Sequence, residues 1–323
     1  MPLPEPLPPS PFAAADDPGR EAPANAVAER VLVVANPKSA RGATGNLLDM
    51  LVTHLHRQGL RPALYHDFDR LIRDADQFHV AGELRAIVTA AGDGTLAEVV
   101  NRTPPGVVVA PFPLGTANLV AKHLGFRRDP VDFAQVVVAG QTTWIDAGQA
   151  NGRVFLLMAG CGLDAEVVHR LHAVRHGDIR YWSYWRPFWS AIRRYAYPTL
   201  RIYCDPSPTG DGEPIRAAFA FVSNLPGYGG GFRFSPLADP ADGLLDLCAL
   251  AGGSLASALW FAAVARLGRL DWTGRCHRAR CRRVRIEAEG PARYQLDGDP
   301  GGLLPVEVEV LPRRVRLLIR PSA

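Results

Sequence analysis

The chain has 323 residues, a net charge of +4, a pI near 8.9 and 47% hydrophobic residues. This length allows two domains of roughly 100–200 residues each. The weak positive charge is compatible with nucleotides or acidic lipids as partners and does not indicate a nucleic-acid-binding protein. The five cysteines are an odd number without a Cys-x-x-Cys pair, which argues against a disulfide framework and a zinc ribbon.

Residues 1–29 are rich in proline and alanine and lack a basic start and an apolar core. This composition predicts a disordered leader, not a signal peptide. The longest apolar stretch elsewhere ends at Arg266. It is shorter than the roughly 18 residues that a transmembrane helix needs. We therefore expect a cytoplasmic protein without a membrane span.

Residues 30–146 alternate between predicted strands and predicted helices, which favours an α/β domain with a mostly parallel sheet. The predicted strands include "RVLVVANP", "LRPALYH", "RAIVTAA" and "GVVVAPF". Ligands of such sheets bind at the carboxyl ends of the strands. Three loops rich in small polar residues fall there, and we expect them to form one site: "NPKSARGATG", "GDGT" and "PLGTAN".

Residues 147–323 have a different pattern, with short alternating strands separated by glycine and proline turns. This pattern predicts an antiparallel β domain, sandwich-like, with one or two helices. The final residues could return to the first domain. The predicted fold class is therefore α/β plus β.

The Gly92-Asp93-Gly94-Thr95 turn lies between a buried strand and a helix. Such a turn directs backbone N–H groups and a helix dipole at one point, which suits an anion. A bare carboxylate beside phosphate is repulsive, and Asp93 becomes useful there only if a metal ion lies between the two or if Asp93 orders the loop and a bound nucleotide. A simpler alternative is that Asp93 caps the following helix. The Walker pattern of ordinary P-loops is absent.

Six motifs occur in an order that resembles the diacylglycerol kinase catalytic-domain family, which includes bacterial lipid kinases and sphingosine kinases. They are "NPKSARGATG", "AGDGTLAEVVN", "PLGTANLVA", "FLLMAGCGLDAEVV", "NLPGYGGGFRFSPLADPADGLLDL" and "RVRIEAEGPARYQLDGDP". The resemblance extends from about Arg30 to Ala323. The family shares its glycine loop with NAD kinases, so an NAD kinase stays an alternative.

The resemblance implies an ATP site and two catalytic carboxylates, Asp93 and Asp299. The implied nucleotide ligands are Asn36, Ser39, Gly92, Asp93, Gly94, Thr95, Glu98, Gly115, Thr116 and Asn118. Mg²⁺ bridging the phosphates would reverse the repulsion from Asp93. We expect Asp93→Ala to abolish turnover and to leave the fold intact. Asp299 is the implied base for the acceptor hydroxyl, and Asp297 has a supporting role.

Three positions depart from the family pattern. Ala91 replaces the first glycine of Gly-Gly-Asp-Gly-Thr, which matters only if that position needs a positive φ or a very close backbone contact. Leu119 replaces an aspartate that is frequent in bacterial members. Asp299 replaces a glutamate and is one methylene shorter.

The carboxylates of Asp239, Asp242 and Asp246 cluster around a glycine turn. Some bacterial relatives hold a structural Mg²⁺ in the matching loop, and the resemblance implies the Asp242 side chain and the Leu244 carbonyl as ligands. An ordinary Asx-turn is the alternative.

Two basic segments are candidates for contact with lipid. The segment 180–198 combines arginine with aromatic residues that include Trp182, Trp185 and Trp189, a composition typical of membrane interfaces. A helix packed on the β domain would have the same composition. The second segment, 275–285, has six arginines that either approach anionic lipid or form the solvated face of a strand. We interpret His169, His172 and His176 as surface residues.

The sequence therefore predicts an ATP- and Mg²⁺-dependent lipid kinase, with diacylglycerol as the first acceptor to test. The alternatives are a sphingoid-base or other long-chain lipid kinase, an NAD kinase, and a catalytically silent binding protein. The expected partner is a lipid substrate at an anionic membrane surface, with peripheral association, no nucleic acid, and a homodimer as an option.

Overall fold

The computed structural model describes residues 20–21, 28–35, 43–173, 193, 195–205 and 212–321. The chain divides into two compact units. The first is Met1–Ile145 with Arg314–Ala323, and the second is Asp146–Arg313. Among the described helices, none combines the length and the apolar character that a membrane span requires.

The first unit alternates strands and helices. Its strands are β1 (Arg20–Glu21), β2 (Arg30–Ala35), β3 (Arg61–Tyr65), β4 (Leu84–Ala91), β5 (Val108–Pro113), the start of β6 (Thr142–Ala150) and the end of β17 (Val306–Leu318). Its helices are α1 (Ala43–Arg57), α2 (Phe68–Val80), α3 (Asp93–Arg102), α4 (Leu119–His123) and α5 (Pro130–Ala139). The strand order β17-β5-β4-β2-β3 is parallel throughout.

The central strand β4 explains why this sheet lies in the core of the first unit. All eight of its residues are buried, as expected for a parallel strand covered by helices on both faces. Its one charged residue, Arg85, donates to the carbonyl oxygens of Val137 at 2.7 Å and Ala28 at 3.2 Å. Because β4 and β5 are parallel neighbours, the loops that follow these two strands lie at the same edge of the sheet.

The second unit consists mainly of antiparallel strands. After β6 come β7 (Arg153–Phe155), β8 (Met158–Cys161), α6 (Leu163–Ala173), β9 (Leu200–Asp205), β10 (Ile215–Ala217), β11 (Phe219–Ser223), β12 (Leu245–Leu250), α7 (Leu255–Arg266), β13 (Cys276–Cys281), β14 (Arg283–Ala288), β15 (Arg293–Leu296) and β16 (Asp299–Leu303). One sheet has the order β13-β12-β11-β8-β15-β16. In the other, β10, β9, β14 and the first part of β17 are neighbours.

Side chains from both of these sheets share one hydrophobic core, which makes the second unit a β-sandwich. Leu200 and Ile202 of β9 pack there with residues of the six-stranded sheet, such as Val222 and Leu247. The predicted fold class, an α/β domain followed by an antiparallel sandwich-like domain, is confirmed.

Two details differ from the sequence prediction. The stretch "IRAAFAFVSN", predicted as one strand, forms β10 and β11 because the chain bends at Ala218 between them. Within the predicted leader, Arg20 and Glu21 pair antiparallel with Thr143 and Thr142 of β6. Residues 1–19 and 22–27 of the leader lie outside the described residues.

Candidate functional site: two glycine loops and a carboxylate cavity

The two glycine loops of the first unit touch through their backbones. A Cβ atom on Gly115 would lie 2.4 Å from the Gly92 Cα and 2.8 Å from the Gly92 nitrogen. The Gly115 N–H also donates to the Ala91 carbonyl oxygen at 3.0 Å. Only glycine permits this approach at position 115. The loops after β4 and β5 therefore form one continuous structure.

The Asp93 carboxylate binds the start of α4. Its Oδ2 accepts from the Leu119 N–H at 2.9 Å, and its Oδ1 accepts from the Val120 N–H at 3.1 Å. The side chain of Asn118, the residue before α4, makes no capping hydrogen bond to this helix. Asp93 of the neighbouring loop accepts from the first N–H groups of α4 instead. The proposed cap on the following helix is wrong, because Asp93 is the first residue of α3 and Gly92 is its N-cap.

This geometry argues against the expectation that Asp93→Ala leaves the fold intact. Both carboxylate oxygens satisfy backbone donors that are partly buried. Their loss would leave two N–H groups without an intramolecular partner, which is costly. Of the roles considered for Asp93, the ordering of the loop is the one that these contacts support.

The departures at positions 91 and 119 fit this arrangement. Ala91 is the last residue of β4, is buried, and does not have a positive φ, so its methyl group is accommodated. Leu119 contributes its backbone N–H to Asp93 and needs no particular side chain for that contact.

The loop after β5 is held by two further side chains. Asn118 is buried, and its Nδ2 donates to the Gly115 carbonyl oxygen at 2.7 Å. Arg128 donates to the same oxygen at 2.7 Å and to the Pro113 carbonyl oxygen at 2.8 Å. Sequence reasoning missed Arg128. Its only signal is the "FRRDP" stretch that follows α4.

The other predicted nucleotide ligands differ in accessibility. Gly94 and Thr116 are exposed, and Thr95 is half-buried at the start of α3. Glu98 lies one turn further along α3 and pairs with Arg102 at 3.5 Å. Asn36 and Ser39 lie outside the described residues.

A cavity of about 450 Å³ in the second unit contains the predicted base. Its lining residues are Arg153, His169, His172, Ala173, Asp299 and Pro300. The Arg153 guanidinium pairs with Asp299 Oδ2 at 2.9 Å. His169 is half-buried and His172 is exposed, which agrees with their interpretation as surface residues, and both line this cavity with Asp299. His176 lies outside the described residues.

The turn before Asp299 is held by Asp297. The Asp297 carboxylate accepts three backbone N–H bonds, from Leu156 at 2.7 Å, Leu157 at 2.8 Å and Met158 at 3.0 Å. Its backbone has a positive φ of 52°. Asp297 therefore anchors the turn between β15 and β16.

The loop suggested for a structural Mg²⁺ forms an Asx-turn. Asp242 Oδ1 accepts from the Leu244 N–H at 2.9 Å, and Asp242 Oδ2 pairs with Arg280. The part of the chain that the structure describes holds no group of three or more His, Cys, Asp or Glu side chains suited to a metal ion. A guanidinium at Asp242 does not fit a cation site, so we derive no role for a metal there.

Burial raises the pKa of two carboxyl groups near that loop. Asp146 accepts from the Gly243 N–H at 2.7 Å and the Arg313 N–H at 2.8 Å, and burial raises its pKa. Burial raises the pKa of Asp246 to about 6. Neither group lies in the Asp299 cavity, so both belong to the framework of the second unit.

Comparison with known proteins identifies the two halves of the chain. Residues 30–150 match the model of the diacylglycerol kinase catalytic domain, and residues 158–319 match the model of the YegS C-terminal NAD kinase beta sandwich-like domain. The chain belongs to the diacylglycerol kinase catalytic-domain family. It is a lipid kinase.

Curated relatives in this family match over nearly their whole length. The chain is 27% identical over 307 residues to the diacylglycerol kinase of Bacillus subtilis (strain 168), covering 90% of this chain and 96% of that one. It is also 27% identical over 308 residues to the diacylglycerol kinase of Mycobacterium tuberculosis (strain ATCC 25618 / H37Rv), covering 90% and 94%.

Solved structures show the same fold. A diacylglycerol kinase from Bacillus anthracis str. Sterne has a TM-score of 0.65 at 20% identity, covering 91% of this chain and 97% of that chain. An NAD kinase from Archaeoglobus fulgidus in complex with ATP has a TM-score of 0.50 at 12% identity, covering 90% and 93%. The chain therefore has the fold of these two solved structures.

Proposed function

We propose that this lipid kinase transfers the γ-phosphoryl group of ATP to the hydroxyl of diacylglycerol, giving phosphatidic acid, with Mg²⁺ bound to the nucleotide. The observation that supports ATP as the phosphoryl donor is the backbone contact between Gly92 and Gly115, which brings together two glycine loops at the ends of adjacent parallel strands. The relatives named diacylglycerol kinase support the acceptor.

The phosphate-binding element is the loop at the start of α3. The helix begins at Asp93 without a side-chain cap from Gly92, so its first N–H groups and its dipole are suited to phosphate oxygens. Gly94 and Thr95 lie in this first turn. When bound with the nucleotide, Mg²⁺ would neutralise the charge that develops on the phosphates.

Asp93 and the neighbouring side chains keep the two loops in register. Asp93 binds the start of α4, while Asn118 and Arg128 bind the Gly115 carbonyl oxygen. In phosphoryl transfer most of the catalysis is positioning and electrostatic stabilisation, so loops held by hydrogen bonds suit the reaction. We assign Gly115, Thr116 and Asn118, with Asn36 and Ser39, to the rest of the nucleotide pocket.

Asp299 is the base for the acceptor hydroxyl. Its carboxylate lies in the cavity beside Arg153, which pairs with Oδ2 and restricts the rotation of the group. A carboxylate that takes the hydroxyl proton as the oxygen attacks phosphorus contributes roughly 10²–10⁴ in rate. His169 and His172 add polar groups at the wall of the same cavity.

We place the acceptor at an anionic lipid surface, supported by exposed apolar and basic residues of the second unit. On and after α7, the exposed fractions are 49% for Leu259, 55% for Trp260, 68% for Leu267 and 67% for Trp272. The Arg269 guanidinium lies 4.9 Å from the centre of the Trp272 ring. Over residues 255–275 three arginines accompany one aspartate, which favours anionic headgroups.

Transfer of labelled phosphate from ATP to a panel of acceptors tests the proposal. The panel contains diacylglycerol and sphingosine in mixed micelles, and NAD in solution, each with and without Mg²⁺. Labelled phosphatidic acid is the expected product. Label only in sphingosine or NAD would assign the corresponding kinase instead, and label in no acceptor would indicate a silent binding protein.

The role of Asp299 has its own test. We expect Asp299→Asn to lower kcat by about 10²–10⁴-fold and to change the KM for ATP little. Asp299→Glu restores the residue common in the family and should retain activity. Glu309→Gln is the matched control, because Glu309 also pairs with an arginine, Arg283 at 3.6 Å, on a strand of the same unit. Equal kcat for wild type and Asp299→Asn at all pH values would remove Asp299 as the base.

A further inference from the structure

The turn that bears Asp299 is held by a side chain from the preceding strand. Gln295 is completely buried in β15, and its Oε1 accepts from the Gly298 N–H at 2.7 Å. Gly298 has a φ of 88° and directly precedes Asp299. This bond therefore fixes the backbone of Gly298, the residue next to Asp299.

The other end of the Gln295 amide is also engaged. Its Nε2 donates to Asp164 Oδ2 on α6 at 2.9 Å, and the Tyr228 hydroxyl donates to Asp164 Oδ1. Burial raises the pKa of Asp164. Because the Gly298 N–H can only donate, it takes the amide oxygen of Gln295, which leaves the NH₂ group facing Asp164.

Gly160 of β8 packs closely against this network. A Cβ atom on Gly160 would lie 2.3 Å from Asp164 Oδ2 and 2.6 Å from Gln295 Nε2. Gln295 is thus enclosed by β8, α6 and the turn that it supports. Buried polar groups with complete hydrogen bonding are rigid, and rigidity is what a catalytic group needs from its surroundings.

We propose that Gln295 is a positioning residue for Asp299, and that Asp164 and Tyr228 hold its amide in the orientation that binds Gly298. The inference rests on the proposed role of Asp299 as base. Rotation or displacement of Gly298 would move the Asp299 carboxylate relative to the acceptor hydroxyl. A misplacement of about 1 Å costs on the order of 10²-fold in rate.

An exchange of donor and acceptor tests the network. Gln295→Glu keeps the oxygen for Gly298 but sets a carboxylate against Asp164. Asp164→Asn leaves one acceptor oxygen for two donors, so either the Gln295 NH₂ group or the Tyr228 hydroxyl hydrogen loses its acceptor. We expect each single variant to lower kcat about 10–100-fold, with the KM values for ATP and diacylglycerol within about 2-fold. The double variant restores one donor and one acceptor, so kcat should return to within about 3-fold of wild type.

A double-mutant cycle with Asp299→Asn separates positioning from a purely structural role. If Gln295 acts through Asp299, Gln295→Glu should change kcat less than about 2-fold once Asp299 is replaced by Asn. The same loss of kcat in both backgrounds would overturn the positioning role. No loss of kcat in Asp299→Asn itself would instead defeat the proposed base.

Tyr228→Phe keeps the test decisive if Gln295→Glu does not fold. It removes the hydroxyl donor and retains the ring, which packs near Phe221 and Phe234. We expect a soluble protein with kcat lowered about 3–10-fold and an unchanged KM for ATP, and this loss should also vanish in the Asp299→Asn background. Wild-type kcat in a folded Tyr228→Phe protein would contradict the proposal.

Discussion

The replacement Asp93→Ala separates a structural role of this carboxylate from a role at the nucleotide alone. In wild type its two oxygens accept from Leu119 and Val120 at 2.9 and 3.1 Å. Alanine removes both acceptors and leaves the first turn of α4 without a cap, since Asn118 makes no side-chain capping bond. We therefore expect lower stability of the first unit together with loss of activity.

The size of the effect follows from these two bonds. A hydrogen bond to a charged group contributes about 1.5–3 kcal/mol, and water can replace part of it because the donors are only partly buried. The net loss should be about 2–4 kcal/mol, which lowers Tm by about 5–15 °C for a unit of this size. Asp93→Asn keeps one acceptor oxygen, so roughly half of this loss is expected.

Thermal unfolding followed by circular dichroism, together with the KM for ATP, measures both roles. Asp49→Ala is the matched control, because Asp49 is exposed on α1 of the same unit, and its Tm should stay within about 1 °C of wild type. A Tm of Asp93→Ala equal to that of wild type would refute the structural role. Loss of kinase activity without loss of stability would then point to a function at the nucleotide only.

Three further outcomes are expected. Gly115→Ala should raise the KM for ATP at least about tenfold and lower Tm, because the new Cβ atom would lie 2.4 Å from the Gly92 Cα. Gly94→Ala is the control and should keep the wild-type Tm, because a Cβ atom there would meet nothing within 4 Å. Equal Tm values for the two variants would contradict the close contact. Burial and the hydrogen bond to Asp74 raise the pKa of Tyr65 to about 12, so its contribution to stability is complete below pH 10 and disappears as the pH rises toward 12. The difference in unfolding free energy between wild type and Tyr65→Phe should therefore shrink by about 2–3 kcal/mol over that range, and a constant difference would rule out the raised pKa. Replacement of Trp260 and Trp272 by Ser should weaken binding to vesicles with phosphatidylglycerol in a flotation assay without lowering Tm, and undiminished binding would exclude these two side chains as the membrane contact.

The hydrophobic pattern was sufficient to predict the main strands and the change of fold class along the chain. Continuous apolar runs such as β4 mark strands buried on both faces, while the alternation in β14 marks a half-buried strand. The motifs also located both glycine loops and the turn at Asp299. The sequence could not show that β17 pairs with β14 near one end and with β5 near the other, because strand pairing depends on partners that are distant in the chain.

Interactions between distant residues account for the parts that sequence reasoning missed. The pattern around Asp93 could not distinguish a metal ligand from a cap, because its partners, Leu119 and Val120, follow a different strand. Four cysteines meet in two pairs, Cys248 with Cys276 and Cys204 with Cys281, although no Cys-x-x-Cys motif exists.

The sequence alone determined which loops carry glycine, carboxylate and hydroxyl groups, because these residue types and their order along the chain are local information. Only the tertiary structure decided how those groups are used. It brings Gly92 against Gly115, Arg153 against Asp299, and Asp164 against Gln295, pairs separated by 23, 146 and 131 positions. Hydrogen bonds and close contacts act over a few ångströms of space, so their partners are set by the packing of sheets and helices and not by sequence spacing.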